Sequence, residues 1–240
     1  MTAGRFPHRQ LPLKLYPSRD QALEHFIAGA NAEAHTQVRA LARGETSRPL
    51  HLWGGAATGK THLLAAACAE ATKLGLRTVY LPMKATVNDL TPSVCEGLET
   101  LDLVCVDDID AIAGGSEWET ALFQLYNGLS DQGGRWLASS NANPQDAALQ
   151  LADLKSRLGW GLVFHLQPLT DDQRRQVLVQ RAQRRGFELG EEVADYLLHR
   201  VPRDLERLCA LLDRLDVASL AAQRRLTISY VRTLLEELRD

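Results

Sequence analysis

Eight consecutive residues limit this chain more than any other feature. Gly54-Gly55-Ala56-Ala57-Thr58-Gly59-Lys60-Thr61 fits the pattern G-x-x-x-x-G-K-[ST]. The glycines let backbone N–H groups turn inward around phosphates, and a helix opening after Gly59 points its positive end at them. Lys60 supplies a compact charge for β and γ oxygens, and Thr61 offers a hydroxyl to Mg²⁺. His62 follows directly and is grouped with the same cradle. The context that confirms such a loop is a strand before it and a helix after it.

That context is present. A short apolar run, Leu50 to Trp53, leads into the loop, and an Ala/Leu-rich helical stretch runs from Lys60 to about Lys73, stopped by Gly75. Further strand candidates lie at 77–81, 101–106, 135–139 and 162–166, with a helix from Glu117 to about Ser130. Strands separated by helices imply an α/β fold with a five-stranded parallel sheet flanked by helices. The stretch 101–106 is nearly all apolar, as a strand buried on both faces should be. Upstream, a helical pattern covers about 21–43 and ends near Gly44. Residues 1–20 hold Pro7, Pro12 and Pro17 and read as an extended arm. After Pro168 the strand signals stop. Four helical segments follow, at 171–185, 191–200, 203–220 and 229–238, with Thr170 and Thr227 as N-cap candidates. The expected organisation is an arm over 1–20, a nucleotide-binding domain over 21–168 and a separate all-helical domain over 169–240, which the family resemblance given below makes a lid domain.

The net charge of −3 argues against a protein that wraps nucleic acid. After residue 156 the chain carries 14 Arg against 13 Asp and Glu, which reads as paired, solvated helix faces. Cys68, Cys95, Cys105 and Cys209 show no C-x-x-C spacing and read as reduced core residues of a cytoplasmic protein. No histidine spacing suits a structural metal. No apolar run reaches membrane-spanning length, and the N-terminus lacks the apolar region of a signal peptide.

A second motif completes the site. Leu103-Val104-Cys105-Val106-Asp107-Asp108 is an apolar strand ending in two carboxylates. Asp107 is placed to hold Mg²⁺ through water, and Asp108 to orient or activate an attacking water.

Three segments then carry a family resemblance: Gly-Lys-Thr-His-Leu-Leu at 59–64, Val-Asp-Asp-Ile-Asp at 106–110, and Leu-Lys-Ser-Arg-Leu-Gly-Trp-Gly at 154–161. They resemble the AAA+ core of the bacterial replication initiator DnaA, over residues from about 21 to 240. The resemblance implies ADP or ATP with Mg²⁺ as ligand and assigns further roles. Arg157 matches the arginine finger that reaches across a subunit interface. Arg203 matches the lid arginine that touches bound phosphate, and Asn141 sits where the polar sensor after the fourth strand is expected. A plainer reading of Arg157 is a surface helix arginine paired with Asp153.

Two departures from the initiator narrow the resemblance. Its DNA-binding and helicase-interaction domains are not expected here. In their place stands the arm with Gln10-Leu11-Pro12-Leu13-Lys14-Leu15, which resembles the peptide that docks on the DNA polymerase sliding clamp. Gln10, Leu11, Leu13 and Leu15 would make the contact, and Lys14 departs from the more usual proline. The combination is similar to the Hda family of DnaA-homologous regulators. That family implies a clamp-recruited negative regulator of replication initiation that stimulates ATP hydrolysis by DnaA. It would reach DNA only through the clamp, with weak intrinsic hydrolysis and self-association both open. The alternative is a self-sufficient AAA+ ATPase, such as a helicase loader or transposition helper.

Overall fold

A computed structural model describes residues 21–201, 205–222 and 225–237. Five strands, β1 (Leu50–Trp53), β2 (Thr78–Pro82), β3 (Leu103–Asp107), β4 (Arg135–Ser140) and β5 (Leu162–His165), form one parallel sheet in the order β2-β3-β4-β1-β5. The register aligns Leu52 with Ser139 and Val106 with Ala138. Every residue of β3 is buried, as its unbroken apolar run requires.

Helices cover both faces. α1 (Ala32–Arg43) and α2 (Lys60–Lys73) pack one side through Val38, Leu41, Leu63 and Leu64. α3 (Met83–Asp89), α4 (Ser116–Asp131) and α5 (Ala152–Trp160) pack the other through Met83, Leu122, Leu154 and Leu158. Beyond β5 the chain is helical: α6 (Asp171–Arg184), α7 (Glu191–Arg200), α8 (Leu205–Ala222) and α9 (Ile228–Glu237). These four share a separate core that includes Leu178, Val193, Leu208, Leu212 and Val231. Thr170 caps α6 in a reciprocal box with Gln173, and the Thr227 hydroxyl accepts from the Tyr230 N–H at the start of α9.

The stretch 21–43 departs from the expected single helix. Single 3₁₀ turns at Leu23–His25 and Gly29–Asn31 precede α1, because Gly29 adopts φ +49° and the Asn31 side chain turns away from its own helix. Asn31 Nδ2 donates to the Gln167 carbonyl (2.9 Å), and Asn31 Oδ1 accepts from the Gln167 N–H (2.8 Å). This pair of hydrogen bonds pins the strand-to-lid connection to the start of α1. Strand ends also shift by one or two residues from 77–81 and 101–106, since Arg77 turns outward to pair with Asp102. The arm 1–20, with Gln10, Leu11, Leu13, Lys14 and Leu15, lies outside the described residues, as does Arg203.

Candidate functional site

β1, β4 and β3 lie side by side and parallel, so their carboxyl ends open on one edge of the sheet. The segments leaving these strands therefore meet at that edge, where ligands of open α/β sheets bind. After β1 comes the glycine loop, after β3 Asp107 and Asp108, and after β4 Asn141. The lid closes the other side. The result is a cleft of about 750 Å³ lined by loop residues 56–62, Asp107, Asp108, Asn141 and, from the lid, Arg181, Leu205 and Asp213.

The loop has the conformation its sequence demands. Gly54 (φ +155°) and Gly59 (φ +97°) occupy backbone regions closed to side chains. A Cβ on Gly54 would stand 2.7 Å from the Leu166 carbonyl, and one on Gly59 would stand 2.7 Å from the Phe26 ring. Ala57 is left-handed as well (φ +59°), a strained position for alanine. α2 begins at Lys60 with no capping side chain at Gly59, so its first N–H groups face the cleft. Lys60 is 6 % exposed, and its ammonium donates to the carbonyls of Gly54 (2.7 Å) and Gly55 (2.9 Å) and to Asn141 Oδ1 (3.3 Å). Burial holds the Lys60 pKa below the usual lysine range, while Asp108, Asp107 and Asp110 push it back up.

The acidic half is built around one hydroxyl. Ser139 Oγ donates to Asp107 Oδ1 and accepts from the Asp108 N–H (3.0 Å). Tyr80 Oη donates to the other oxygen of Asp107 (2.7 Å), and burial raises the Tyr80 pKa far enough to keep that proton in place. Asp107 is 2 % exposed, yet each carboxylate oxygen keeps a second lone pair for a metal-bound water. Asp108 is left-handed (φ +53°), a conformation aspartate tolerates, and its carboxylate meets Lys84 Nζ at 3.1 Å. Asn141 is held from behind: its N–H donates to Asp110 Oδ2 (2.5 Å).

No motif in the sequence announces the wall formed by 21–27. His62 Nε2 donates to the Ala22 carbonyl (3.0 Å) and His35 Nε2 to the Leu23 carbonyl (2.9 Å), while Phe26 lies between the two rings at 5.4 and 5.8 Å. Burial lowers both histidine pKa values and keeps the rings neutral. Tyr80, Lys84 and the lid arginines Arg181 and Arg184 join the cleft without any local spacing that marks them. Cys68, Cys95 and Cys105 are buried as expected, but Cys209 is only half-buried and faces the cleft. Among the described residues no cluster of His, Cys, Asp or Glu could hold a metal by itself. A metal at Thr61 and Asp107 would therefore borrow ligands from bound phosphates, the usual habit of Mg²⁺.

Arg157 stands apart from this convergence. It lies on α5, outside the cleft lining, and does not pair with Asp153. Its guanidinium sits 4.8 Å from the centre of the Trp160 ring, and Trp160 is 70 % exposed. The outward-facing indole outcompetes a solvated i−4 carboxylate as the partner.

The sheet order, the loop, the paired carboxylates and the helical lid define an AAA+ P-loop protein. The family model for the bacterial DnaA ATPase domain matches residues 18–165, and the chain belongs to that family. The model for the Hda lid domain matches residues 171–235. Domain III of DnaA from Thermotoga maritima is similar in structure, with 27 % identity, TM-score 0.80, and coverage of 92 % of this chain and 97 % of that one. AMPPCP-bound DnaA from Aquifex aeolicus shares 26 % identity at TM-score 0.67, over 82 % of this chain and 66 % of that one. The Thermotoga maritima RuvB branch-migration motor, at 18 % identity and TM-score 0.69 over 92 % and 72 %, shares the fold. No helix among the described residues is long and apolar enough to cross a membrane.

Proposed function

We propose that this chain is a cytoplasmic regulator of replication initiation. It holds ADP or ATP with Mg²⁺ in its own cleft and acts on the ATP bound to the initiator DnaA. Gly54 to His62 and Arg203 cradle the nucleotide, Thr61 and Asp107 hold the metal, and Asn141 and Asp108 face the γ-phosphate. Residues 21–168 form the nucleotide-binding domain and 169–240 the lid. The arm over 1–20, through Gln10, Leu11, Leu13 and Leu15, docks on the sliding clamp, which brings the chain to DNA.

One observation carries the reading: of the candidate catalytic side chains Arg157, Asp108 and Asn141, Arg157 alone is not part of the cleft lining, and it stacks on the exposed Trp160 of its own helix. An arginine there serves a neighbour's nucleotide rather than its own. Membership of the DnaA family supplies a neighbour of the same fold, and the Hda-type lid supports the regulatory branch. In the reaction so assisted, water attacks the γ-phosphorus of initiator-bound ATP and ADP leaves. Arg157 neutralises charge that builds on the transferring group.

The test mixes ATP-loaded initiator, clamp-loaded DNA and this chain, and follows ATP loss. Loss should accelerate when the chain is added, and deletion of residues 1–16 should remove the acceleration. No acceleration by the full chain would sink the reading. The second reading, a self-sufficient ATPase, draws on the convergence of Lys60, Asp107, Asp108 and Asn141 in one cleft. Fast ATP turnover by the chain alone would favour it.

A further inference from the structure

We infer that Lys84 is a brake on the chain's own hydrolysis, a positioning residue that occupies Asp108 and so keeps the bound triphosphate from being spent. The inference rests on the proposed reading that Asp108 faces the attacking water.

The pairing is built from both sides. β2 ends at Pro82, which is the N-cap of α3, and Met83 is fully buried beneath the sheet. That buried anchor sets the rotation of α3 and sends the next residue, Lys84, out on the cleft side. The Thr86 hydroxyl donates to the Pro82 carbonyl (2.9 Å) and secures the first turn. Just past the end of β3, Asp108 is turned left-handed, with its N–H held by Ser139 (3.0 Å). The carboxylate therefore leaves β3 towards α3 and meets Lys84 Nζ at 3.1 Å. The Asp108 side chain is 18 % exposed and that of Lys84 is 67 % exposed, so the carboxylate is shielded while the lysine reaches it from the solvent side. Asp107 and Asp110 add to the negative field that keeps the ammonium there.

The consequence is chemical. Hydrolysis forms a bond from a water oxygen to the γ-phosphorus and breaks the bond to the β,γ-bridging oxygen. ADP departs with that electron pair, and the water proton passes to a carboxylate or to the phosphate formed. With Oδ2 engaged by the ammonium, Asp108 has fewer free lone pairs to turn towards that water. A regulator whose nucleotide serves as a conformational ligand gains from this, since its ligand then persists.

The experiment compares the wild-type chain with Lys84→Met, Lys84→Arg, Asp108→Asn and the Lys84→Met/Asp108→Asn double variant. Each is given saturating ATP and Mg²⁺ with no partner, phosphate release is followed, and ADP affinity is measured by calorimetry. Lys84→Met should raise turnover by roughly tenfold, a fraction of the ~10²–10⁴ that a positioned general base contributes. Lys84→Arg should stay as slow as wild type, and the double variant should lose the gain. An unchanged or lower rate in Lys84→Met, with ADP still bound, overturns the brake. So does a double variant that keeps the higher rate, or an arginine variant as fast as methionine. Failure here leaves activation through Arg157 standing, because that activity is read on the initiator's ATP.

Discussion

Lys60 and His51 make opposite uses of burial. The Lys60 ammonium is held by two loop carbonyls and Asn141; burial lowers its pKa, and three carboxylates nearby push it back up. Bound phosphate gives it a better partner. Lys60→Ala should therefore weaken ADP binding by roughly tenfold to a hundredfold, the value of a charge-assisted hydrogen bond, and equal affinities in calorimetry would contradict that. His51 lies on β1 inside the sheet, 2 % exposed. Ser140 Oγ donates to the Ala142 carbonyl, so it must accept from His51 Nε2 (2.7 Å), which leaves Nδ1 without a proton and without a partner. Burial pushes the His51 pKa down to about 3. The unfolded histidine takes up a proton below pH ~6.5 while the folded one refuses it, so stability falls as pH drops from there towards 3. Each pH unit in that window costs about 1.4 kcal/mol from this group. Urea denaturation at pH 7 and pH 5 should show a smaller loss for His51→Leu than for wild type, by about 2 kcal/mol; equal losses would show that His51 does not titrate this way.

Elements differ in how far they could be read ahead of the structure. The sheet was legible because buried parallel strands must be continuous apolar runs, and β3 is one from Leu103 to Val106. The lid helices were legible because Leu208, Leu212 and Leu215 recur at helical spacing and Thr170 announces α6. The 21–31 segment was not, because its shape comes from distant partners: the Gln167 backbone for Asn31 and the His62 ring for Ala22. Tyr80 and Lys84 escaped for the same reason, since β2 and β3 pair across 25 residues of chain that local pattern cannot bridge. α5 was flagged by its family octet rather than by periodicity. Its seat depends on Glu119, a carboxylate only 1 % exposed that sits on α4. Oε2 accepts from the N–H groups of Gln150 (2.8 Å) and Leu151 (2.7 Å), and Oε1 from Gly114 (3.0 Å). One side chain thus ties the start of α5 to the loop before α4. Glu119→Ala should cost about 3 kcal/mol, since buried donors lose a charged acceptor; a loss under about 1 kcal/mol in urea titration would mean the loops find other partners.

At the scale of the whole molecule, the sheet domain and the helical lid meet at one cleft. The sheet domain and the lid are each packed internally, and the cleft takes residues from both. A ligand bridging them should raise the melting temperature by mass action, contributing about 2.7 kcal/mol at a hundred times its dissociation constant. Thermal scans with and without ADP check this, and an unmoved transition would contradict it. Arg157 and Trp160 lie on α5, away from the cleft, so a change there should leave folding and ADP affinity as they are. The central claim is that this arginine completes another molecule's active site. The measurement is ATP loss from initiator–ATP on clamp-loaded DNA with wild type, Arg157→Ala or Arg157→Lys added. A finger supplied in trans accelerates phosphoryl transfer by roughly 10³–10⁵. Alanine should abolish the stimulation, and lysine should fail to restore it because a point charge lacks the planar fork. Stimulation by Arg157→Ala equal to wild type would contradict the claim and would locate the activation in reshaping of the initiator's own site.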